Sequence, residues 1–103
     1  MKYVALRSFI HKFDIYQREE QEIITVVLDK IKEYTETNHA PYGLRIKRLS
    51  QRIYEARINI HLRIAYFRDR DVVKFFCLGN HDDIKRCLKK LRHSCMAHAD
   101  VNF

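Results

Sequence analysis

Proline and glycine are nearly absent from this sequence, and tryptophan is missing altogether. The 103 residues include one Pro and two Gly, while 47% of the residues are hydrophobic. This composition excludes a disordered, low-complexity chain and indicates a compact globular protein. A chain of this length has little room for a second core, so we expect one domain over residues 1–103.

Paired cysteines and long hydrophobic runs are also missing. Three cysteines, an odd number without paired spacing, argue against a disulfide framework and indicate a reducing compartment. The longest apolar stretch, "EIITVVL", is short and interrupted by Thr25. The N-terminal segment lacks the apolar stretch and cleavage site of a signal peptide. We therefore expect a cytoplasmic protein without a membrane partner.

Positive charge is present in excess, and it is concentrated in one half of the chain. The formal net charge is +7. Residues 1–43 hold six Lys/Arg and seven Asp/Glu, a balance of −1, whereas residues 44–103 hold fourteen and six, a balance of +8. This one-sided surplus predicts a face for a polyanion, because phosphate contacts supply most non-specific nucleic-acid affinity. A well-solvated basic protein without such a ligand is the alternative.

The first half of the chain reads as a strand followed by two helices. "KYVALRSF" alternates as an opening strand, and residues 8–34 change to helical spacing, as a short helix and then a longer one. Asp14, followed three residues later by Gln17, is the predicted capping signal. "TNHAPYG" breaks the second helix, and "LRIKRL" follows as an extended basic segment.

Three strands and a helix complete the pattern. "RIYEARI", "HLRIAYFR" and "DVVKFFCL" read as antiparallel neighbours, joined near Asn59 and at residues 69–71. "GNHDDIKRCLKKLRH" is predicted to be a helix capped by Asn80, with Cys77 and Cys87 as core residues and residues 92–103 as a flexible tail. The order β-α-α-β-β-β-α predicts an α+β fold, a largely antiparallel twisted sheet with helices packed on one face.

Alternation along the strands places two arginines where an anion can reach them. Leu62 and Ile64 can face the helices, which puts Arg63 on the opposite, open side of the sheet. Arg57 joins Arg63 if the hairpin register permits, and two such guanidinium groups form a fork-shaped phosphate site. The alternative is a surface ion pair of Arg57 with Glu55 or a nearby Asp, worth under about 1 kcal/mol.

His81 is the second candidate for chemistry. It follows a buried strand and Gly79, at the first turn of the last helix, where an imidazole and a helix N-terminus would both favour a phosphate. A capping or solvent-exposed histidine is the alternative. His93, Cys95 and His98 are metal-ligand types, but no second pair at zinc-finger spacing accompanies them, so we predict no metal and no cofactor.

Two segments, "IYEARINIHLRIAYF" and "DVVKFFCLGNHDDIKR", resemble the RelE/ParE toxin superfamily, with YoeB- and YafQ-type features. The resemblance extends over residues 3–91 and is densest over residues 44–86. The family motif E-x-R-[IV]…[YH]-x-R-[IV]-x-Y and the later G-x-[HR] element are matched by Glu55, Arg57, His61, Arg63, Ile64, Tyr66, Gly79 and His81.

The resemblance implies a single RelE-like domain and the toxin of a type II toxin–antitoxin system. Such toxins include ribosome-dependent mRNA endoribonucleases, or mRNA interferases, which inhibit translation. The implied partners are a cognate antitoxin, mRNA and the ribosome. Arg63 and His81 match active-site positions of the family, and we add Arg57 as a third catalytic residue. The residues predicted to bind RNA phosphates are Arg45, Lys47, Arg48, Lys85, Arg86, Lys89 and Lys90.

This sequence departs from the family shortly after the G-x-[HR] element. Many relatives carry an aromatic residue there, whereas here Asp82 follows His81 and Lys85 stands where the aromatic is often found. Two alternatives therefore stay open. One is a ParE-like inhibitor of DNA gyrase, against which His81 argues because ParE-type chains generally lack the histidine. The other is a catalytically inactive RelE-like module that binds RNA or a protein.

Overall fold

The fold is described by a computed structural model, which covers the backbone of residues 1–93 and the side chains of residues 1–91. Its elements are β1 (Lys2–Ala5), α1 (Arg7–Ile15), α2 (Arg18–Thr37), β2 (Arg45–Arg48), β3 (Ile53–Asn59), β4 (Leu62–Asp69), β5 (Val72–Gly79) and α3 (His81–His93). The predicted order is confirmed, with one more strand than expected. Of the predicted tail, residues 92–93 belong to α3, and residues 94–103 lie outside the described part of the chain.

The additional strand is β2, which was predicted only as an extended basic segment. It pairs antiparallel with β3 along its whole length, and its residue Ile46 packs against the main core. The segment becomes a strand because one apolar side chain in its centre anchors it, while the backbone of β3 supplies its hydrogen bonds.

The five strands form one mixed sheet in the order β1-β5-β4-β3-β2. β1 runs parallel to β5, and all other neighbouring strands are antiparallel. The predicted α+β class and the largely antiparallel sheet are therefore confirmed. The parallel pair arises because the two helices after β1 provide the long crossover that parallel strands require.

The junction between α1 and α2 differs in detail from the prediction. Asp14 lies inside α1, and Gln17 is the N-cap of α2. The backbone N–H of Gln17 donates to Oε1 of Glu20 at 3.2 Å, which completes a capping box one turn later than expected. At the other end, α2 stops at Asn38, which adopts a left-handed conformation with φ of 62°.

Helices α1 and α2 cover one side of the sheet, here called the helical face. Phe9 of α1 and Ile24 and Ile31 of α2 are buried there against Ile64 and Tyr66 of β4. This packing is the main core, and it uses the β4 residues that alternation had assigned to the helices.

The third helix packs on the opposite side of the sheet, here called the α3 face. Ile84 of α3 is buried against Ala65, Phe76 and Cys77 in a second cluster. The expectation that all helices pack on one face was therefore wrong. β5 requires cover on both sides, because an irregularity opposite Ala65 and Tyr66 leaves Phe76 as an extra residue of the strand.

A disulfide joins the end of β5 to α3, between Cys77 and Cys87. The two residues are ten positions apart in sequence, and they were predicted to be unbonded core residues. Cys77 is indeed buried, and Cys87 belongs to the apolar stripe of α3. The pairing depends on how α3 docks on β5, and sequence spacing gives no information about that docking.

The start of α3 is fixed by Asn80, as predicted, and by Asp83. The N–H of Asp83 donates to Oδ1 of Asn80 at 2.8 Å, and the N–H of Asn80 donates to Oδ2 of Asp83 at 2.9 Å. Lys12 of α1 lies 3.4 Å from the same carboxylate. The backbone hydrogen bond from Asn80, helped by Lys12 and Arg86, holds the pKa of Asp83 below its usual value.

Gly79 is required next to this cap. A Cβ atom at position 79 would collide with the carboxylate of Asp83, which lies directly over the glycine. The absent side chain thus allows α3 to begin close to the end of β5.

No helix in the described part of the chain combines the length and the apolar character needed to cross a membrane.

Replacing Cys87 by Ala should lower the free energy of unfolding of the air-oxidised protein by about 2.5 kcal/mol, because closure of a ten-residue loop restricts the unfolded chain. Urea denaturation measures this difference. Wild-type protein in dithiothreitol should match the variant, and Cys95→Ala is the control that leaves the disulfide intact. Titration of three free thiols in native, unreduced protein would contradict the assignment.

Asp83→Asn should destabilise the protein by about 1 kcal/mol at neutral pH, because the cap loses its charged acceptor. A lowered folded-state pKa means that this contribution is complete above the unfolded value near 3.8 and disappears as pH falls through the folded pKa. Urea denaturation at a series of pH values should show the two proteins converging below pH 3.8. Asp29→Asn, which changes an exposed carboxylate, should show no such convergence.

Candidate functional site

Three arginines on three neighbouring strands lie side by side in the sheet. Arg45 of β2 is the register partner of Arg57 of β3, which in turn is the partner of Arg63 of β4. Partners directly opposite each other have side chains on the same face, with Cβ atoms about 4.5–5.5 Å apart. The prediction that Arg57 joins Arg63 is confirmed by this register. We call these three residues the arginine row.

The arginine row lies on the α3 face of the sheet. Ala65, two residues along β4 from Arg63, packs against α3, and side chains two residues apart in a strand share a face. On β5, the register partner of Arg63 is Gly79, so the row ends where α3 begins. The outer strands β2 and β3 carry the rest of the row beyond the edge of the helix.

Like charges dominate the row. Arg45 is exposed and Arg57 is half-buried, and neither has a carboxylate within 4.0 Å among the described residues. Like charges directly opposite each other in a sheet are destabilising. An arrangement that costs stability in the free protein is typical of a binding site for the opposite charge, which here would be an anion.

Glu55 is a site residue that the sequence analysis did not assign. Its carboxylate accepts a hydrogen bond from Arg63 at 3.2 Å, and its side chain is only 9% exposed. The alternative ion pair between Arg57 and Glu55 is therefore not formed, because Glu55 forms a partly buried pair with Arg63. Alternation put Glu55 and Arg63 on the same side, but this diagonal contact depends on the strand register.

The ion pair with Glu55 restrains Arg63 but leaves most of its N–H donors available. The Arg63 side chain is 21% exposed, and a guanidinium has five N–H donors, one of which is used by Glu55. A buried carboxylate needs such a partner, because removing the cation would leave an uncompensated charge. Glu55 therefore fixes the position of Arg63, which keeps donors for a ligand on the α3 face.

His81 is the first residue of α3, and its side chain is exposed. It follows Gly79 by two residues, and Gly79 is the β5 partner of Arg63. The sheet thus brings His81 and Arg63 to the same end of the α3 face, although they are far apart in sequence. The N-terminus of a helix also contributes a partial positive charge at this point.

The two flanks of α3 carry different basic residues. At 100° per residue, Lys85 and Lys89 share the flank of His81, while Arg86 and Lys90 share the flank of Asp83. The Asp83 flank faces α1, because Asp83 contacts Lys12.

Helix α1 itself lies along the β1 side of β5, where Ser8 donates to the carbonyl of Phe76 at 3.2 Å. The flank with His81, Lys85 and Lys89 is therefore turned towards β4 and β3, where the arginine row lies.

The predicted RNA-binding residues consequently divide into two sets. Lys47 pairs with Glu55 in register, so it lies on the α3 face with the arginine row. Arg48 pairs with Tyr54, on the helical face, and is separated from Lys47 by the thickness of the sheet. Four of the seven lie on the side of the arginine row, namely Arg45, Lys47, Lys85 and Lys89, whereas Arg48, Arg86 and Lys90 lie elsewhere. We call these four, together with Arg57, Arg63 and His81, the cationic cleft.

Of the possible metal ligands His93, Cys95 and His98, the last two lie outside the described residues. Within the described part of the chain, no group of three or more His, Cys, Asp or Glu side chains is arranged to hold a metal ion. The side chains of the cationic cleft offer guanidinium and ammonium groups that bind phosphate, and one imidazole that can transfer a proton.

Comparison with known proteins bears on the fold. No family model and no curated protein matches the sequence. Among solved structures, a YoeB/ParE toxin from Agrobacterium tumefaciens superposes with a TM-score of 0.61 and is 20% identical. The alignment covers 79% of this chain and 99% of that one. The chain therefore shares the fold of this YoeB/ParE toxin.

Proposed function

We propose that this protein is the toxin of a type II toxin–antitoxin pair and that it cleaves mRNA on the ribosome. The observation that carries the proposal is the arginine row, in which Arg63 is the register partner of Gly79, two residues before His81, on a fold shared with a YoeB/ParE toxin. Three guanidinium groups in register form a strip of positive charge suited to a phosphodiester backbone. The imidazole of His81 supplies the proton donor or acceptor that cleavage of an RNA strand requires.

The proposed reaction is an attack by the ribose 2′-OH on the adjacent phosphorus. The bond from phosphorus to the 5′-oxygen breaks, leaving a 2′,3′-cyclic phosphate on one fragment and a 5′-OH on the other. Arg57 and Arg63 stabilise the charge that accumulates on the phosphoryl oxygens. His81 donates a proton to the departing 5′-oxygen or accepts one from the 2′-OH. The reaction needs no metal and no cofactor.

The other members of the cationic cleft hold the RNA. Arg45 and Lys47 on the sheet, with Lys85 and Lys89 on the facing flank of α3, neutralise phosphates on either side of the reacting one. Arg86 and Lys90, on the other flank of α3, lie away from this path. Glu55 acts as a positioning residue, since it reaches the substrate only through Arg63.

Control of such a toxin requires a protein partner. We propose an antitoxin with an acidic or amphipathic segment that covers the cationic cleft, because charge neutralisation and steric block would act on the same surface. The proposed site of action is the cytoplasm, where mRNA and ribosomes are found.

A non-catalytic function is the second candidate, and one observation favours it. No Tyr, Phe or Trp stands among residues 82–92, and Lys85, where an aromatic is often found, can hold a phosphate but cannot stack on a base. The same fold would then inhibit DNA gyrase or bind RNA or protein without cleavage. Primer extension on cellular mRNA after induction detects cleavage, whereas gyrase-dependent DNA breaks identify the gyrase inhibitor. An inert binding module would cause no growth arrest.

His81→Ala should reduce ribosome-dependent mRNA cleavage by about 10²–10⁴-fold, because a general acid or base is lost. Arg63→Lys should reduce it by about 10²-fold, since it keeps the charge that Glu55 requires but loses the planar fork. Primer extension on a defined mRNA in a translation extract measures both. Arg63→Ala is a poor test, because it would leave the buried carboxylate of Glu55 unpaired.

The matched control for His81→Ala is His39→Ala, which removes an exposed histidine from the segment after α2. It should cleave at the wild-type rate and have an unchanged circular dichroism spectrum. Wild-type cleavage and growth arrest by both His81→Ala and Arg63→Lys would refute the catalytic assignment.

Arg57→Thr should separate function from stability. It removes the central charge of the arginine row, so the free energy of unfolding should rise by about 0.2–1 kcal/mol at low salt. Cleavage should fall by about 10²-fold in the same protein. Urea denaturation at two salt concentrations and the primer-extension assay test the pair of effects. A variant that is both less stable and fully active would show that Arg57 is structural.

A further inference from the structure

A second group of arginines surrounds a shallow pocket at the far end of the sheet. The pocket has a volume of about 370 Å³. Its wall comes from the β2–β3 loop, the start of β3, the end of β4 and the β4–β5 turn, through Arg48, Arg52, Tyr54, Arg68, Asp69 and Arg70. We call it the distal pocket.

The distal pocket is separate from the cationic cleft. Arg48 and Tyr54 are register partners, three residues along their strands from Arg45 and Arg57. Three residues of a strand span about 10 Å. Tyr54 packs with the main core, so it points to the helical face, whereas the arginine row lies on the α3 face. One bound ligand therefore cannot be shared by Arg57 and Tyr54 without passing around the sheet edge.

Positive charge in the distal pocket is largely uncompensated. Four arginines and one aspartate give a formal charge of +3. Asp69 lies 3.7 Å from Arg52, with both side chains about half exposed, which makes this a weak surface pair. Among the described residues, no other carboxylate comes within 4.0 Å of these arginines. Such a cluster favours a multivalent anion.

The pocket is also held in place before any ligand arrives. Arg48 donates from Nε to the carbonyl of Ser50 at 3.1 Å and from Nη2 to the carbonyl of Gln51 at 2.7 Å. Its guanidinium lies over the ring of Tyr54, 5.7 Å from the ring centre. These contacts leave three of its five N–H donors for a ligand.

The two loops of the pocket are tied to each other as well. The backbone N–H of Arg68 donates to the carbonyl of Arg52 at 2.8 Å. Tyr54 in turn stacks on Tyr66, whose side chain is fully buried, with ring centres 5.5 Å apart. Because Tyr54 is anchored to the core and the guanidinium of Arg48 is fixed, less conformational entropy is lost when a ligand binds.

These features identify the chemistry of the ligand. The ring of Tyr54 has Arg48 on one side and Tyr66 on the other, so it offers no free face for a base. Recognition must therefore depend on anionic oxygens, and arginine forks match the geometry of phosphate groups. We propose that the distal pocket binds two adjacent phosphate groups, either those of a free di- or triphosphate or those of a nucleic-acid backbone.

Calorimetric titration of the full-length protein with inorganic pyrophosphate at low salt tests the proposal. Arg68→Gln combined with Arg70→Gln should weaken binding by about tenfold to hundredfold, because hydrogen bonds between charged groups are lost. All titrations use the Arg57→Gln, Arg63→Lys background, which weakens phosphate binding in the cationic cleft. The matched control in that background is Arg7→Gln combined with Arg18→Gln, two exposed arginines outside both sites, which should leave pyrophosphate affinity within twofold.

Two results would overturn the proposal: no measurable pyrophosphate binding, or equal weakening by the pocket substitutions and by the control substitutions at Arg7 and Arg18. A second titration, with a ten-nucleotide single-stranded RNA, identifies the source of the phosphates. If the pocket substitutions weaken RNA as much as pyrophosphate, the backbone is a ligand. If they weaken pyrophosphate alone, the ligand is a free nucleotide phosphate. Neither titration depends on toxicity or cleavage.

Discussion

Strand β5 is apolar on both of its sides, and the position of every helix follows from this. Phe75 and Leu78 contribute to the core under α1 and α2, while Phe76 and Cys77 contribute to the core under α3. A strand of this kind must be covered twice, because exposed apolar area costs about 25 cal/mol per Å². Three helices in a chain of this size suffice to cover the centre of the sheet. On the α3 face, the ends of β2 and β3 that carry Arg45 and Arg57 lie outside this second cluster, and that is where the arginine row lies.

The α3 face of the sheet combines a neutralised ion pair with neighbouring positive charge that is not neutralised. Glu55 is buried and neutralised by Arg63, whereas Arg57 and Arg45 face each other without a carboxylate among the described residues. The first arrangement fixes a guanidinium in position, and the second leaves positive charge that only a ligand can neutralise. This combination of a fixed cation and an unsatisfied field is what a site for the transition state of phosphate chemistry requires.

The end of β5 is anchored so that α3 can present His81. The disulfide from Cys77 to Cys87 and the reciprocal hydrogen bonds of Asn80 and Asp83 hold the first turns of the helix against the strand. The distal pocket is organised differently, through loop carbonyls and a tyrosine stack, on the other face and at the other end of the sheet. The two cationic sites therefore lie on opposite faces of one sheet and are held in place by different contacts.

The sequence by itself determined the elements, the side of each strand that faces the main core, and the candidates Arg57, Arg63 and His81. These features follow from local periodicity and from residue chemistry, which short segments carry in full. Only the tertiary structure decided what depends on contacts between distant segments. It placed α3 on the second face, made β2 a strand, paired Glu55 with Arg63 in place of Arg57, joined the two cysteines, and separated Arg48 from Lys47. Register and docking are set by the summed packing of the whole chain, so no single segment contains them.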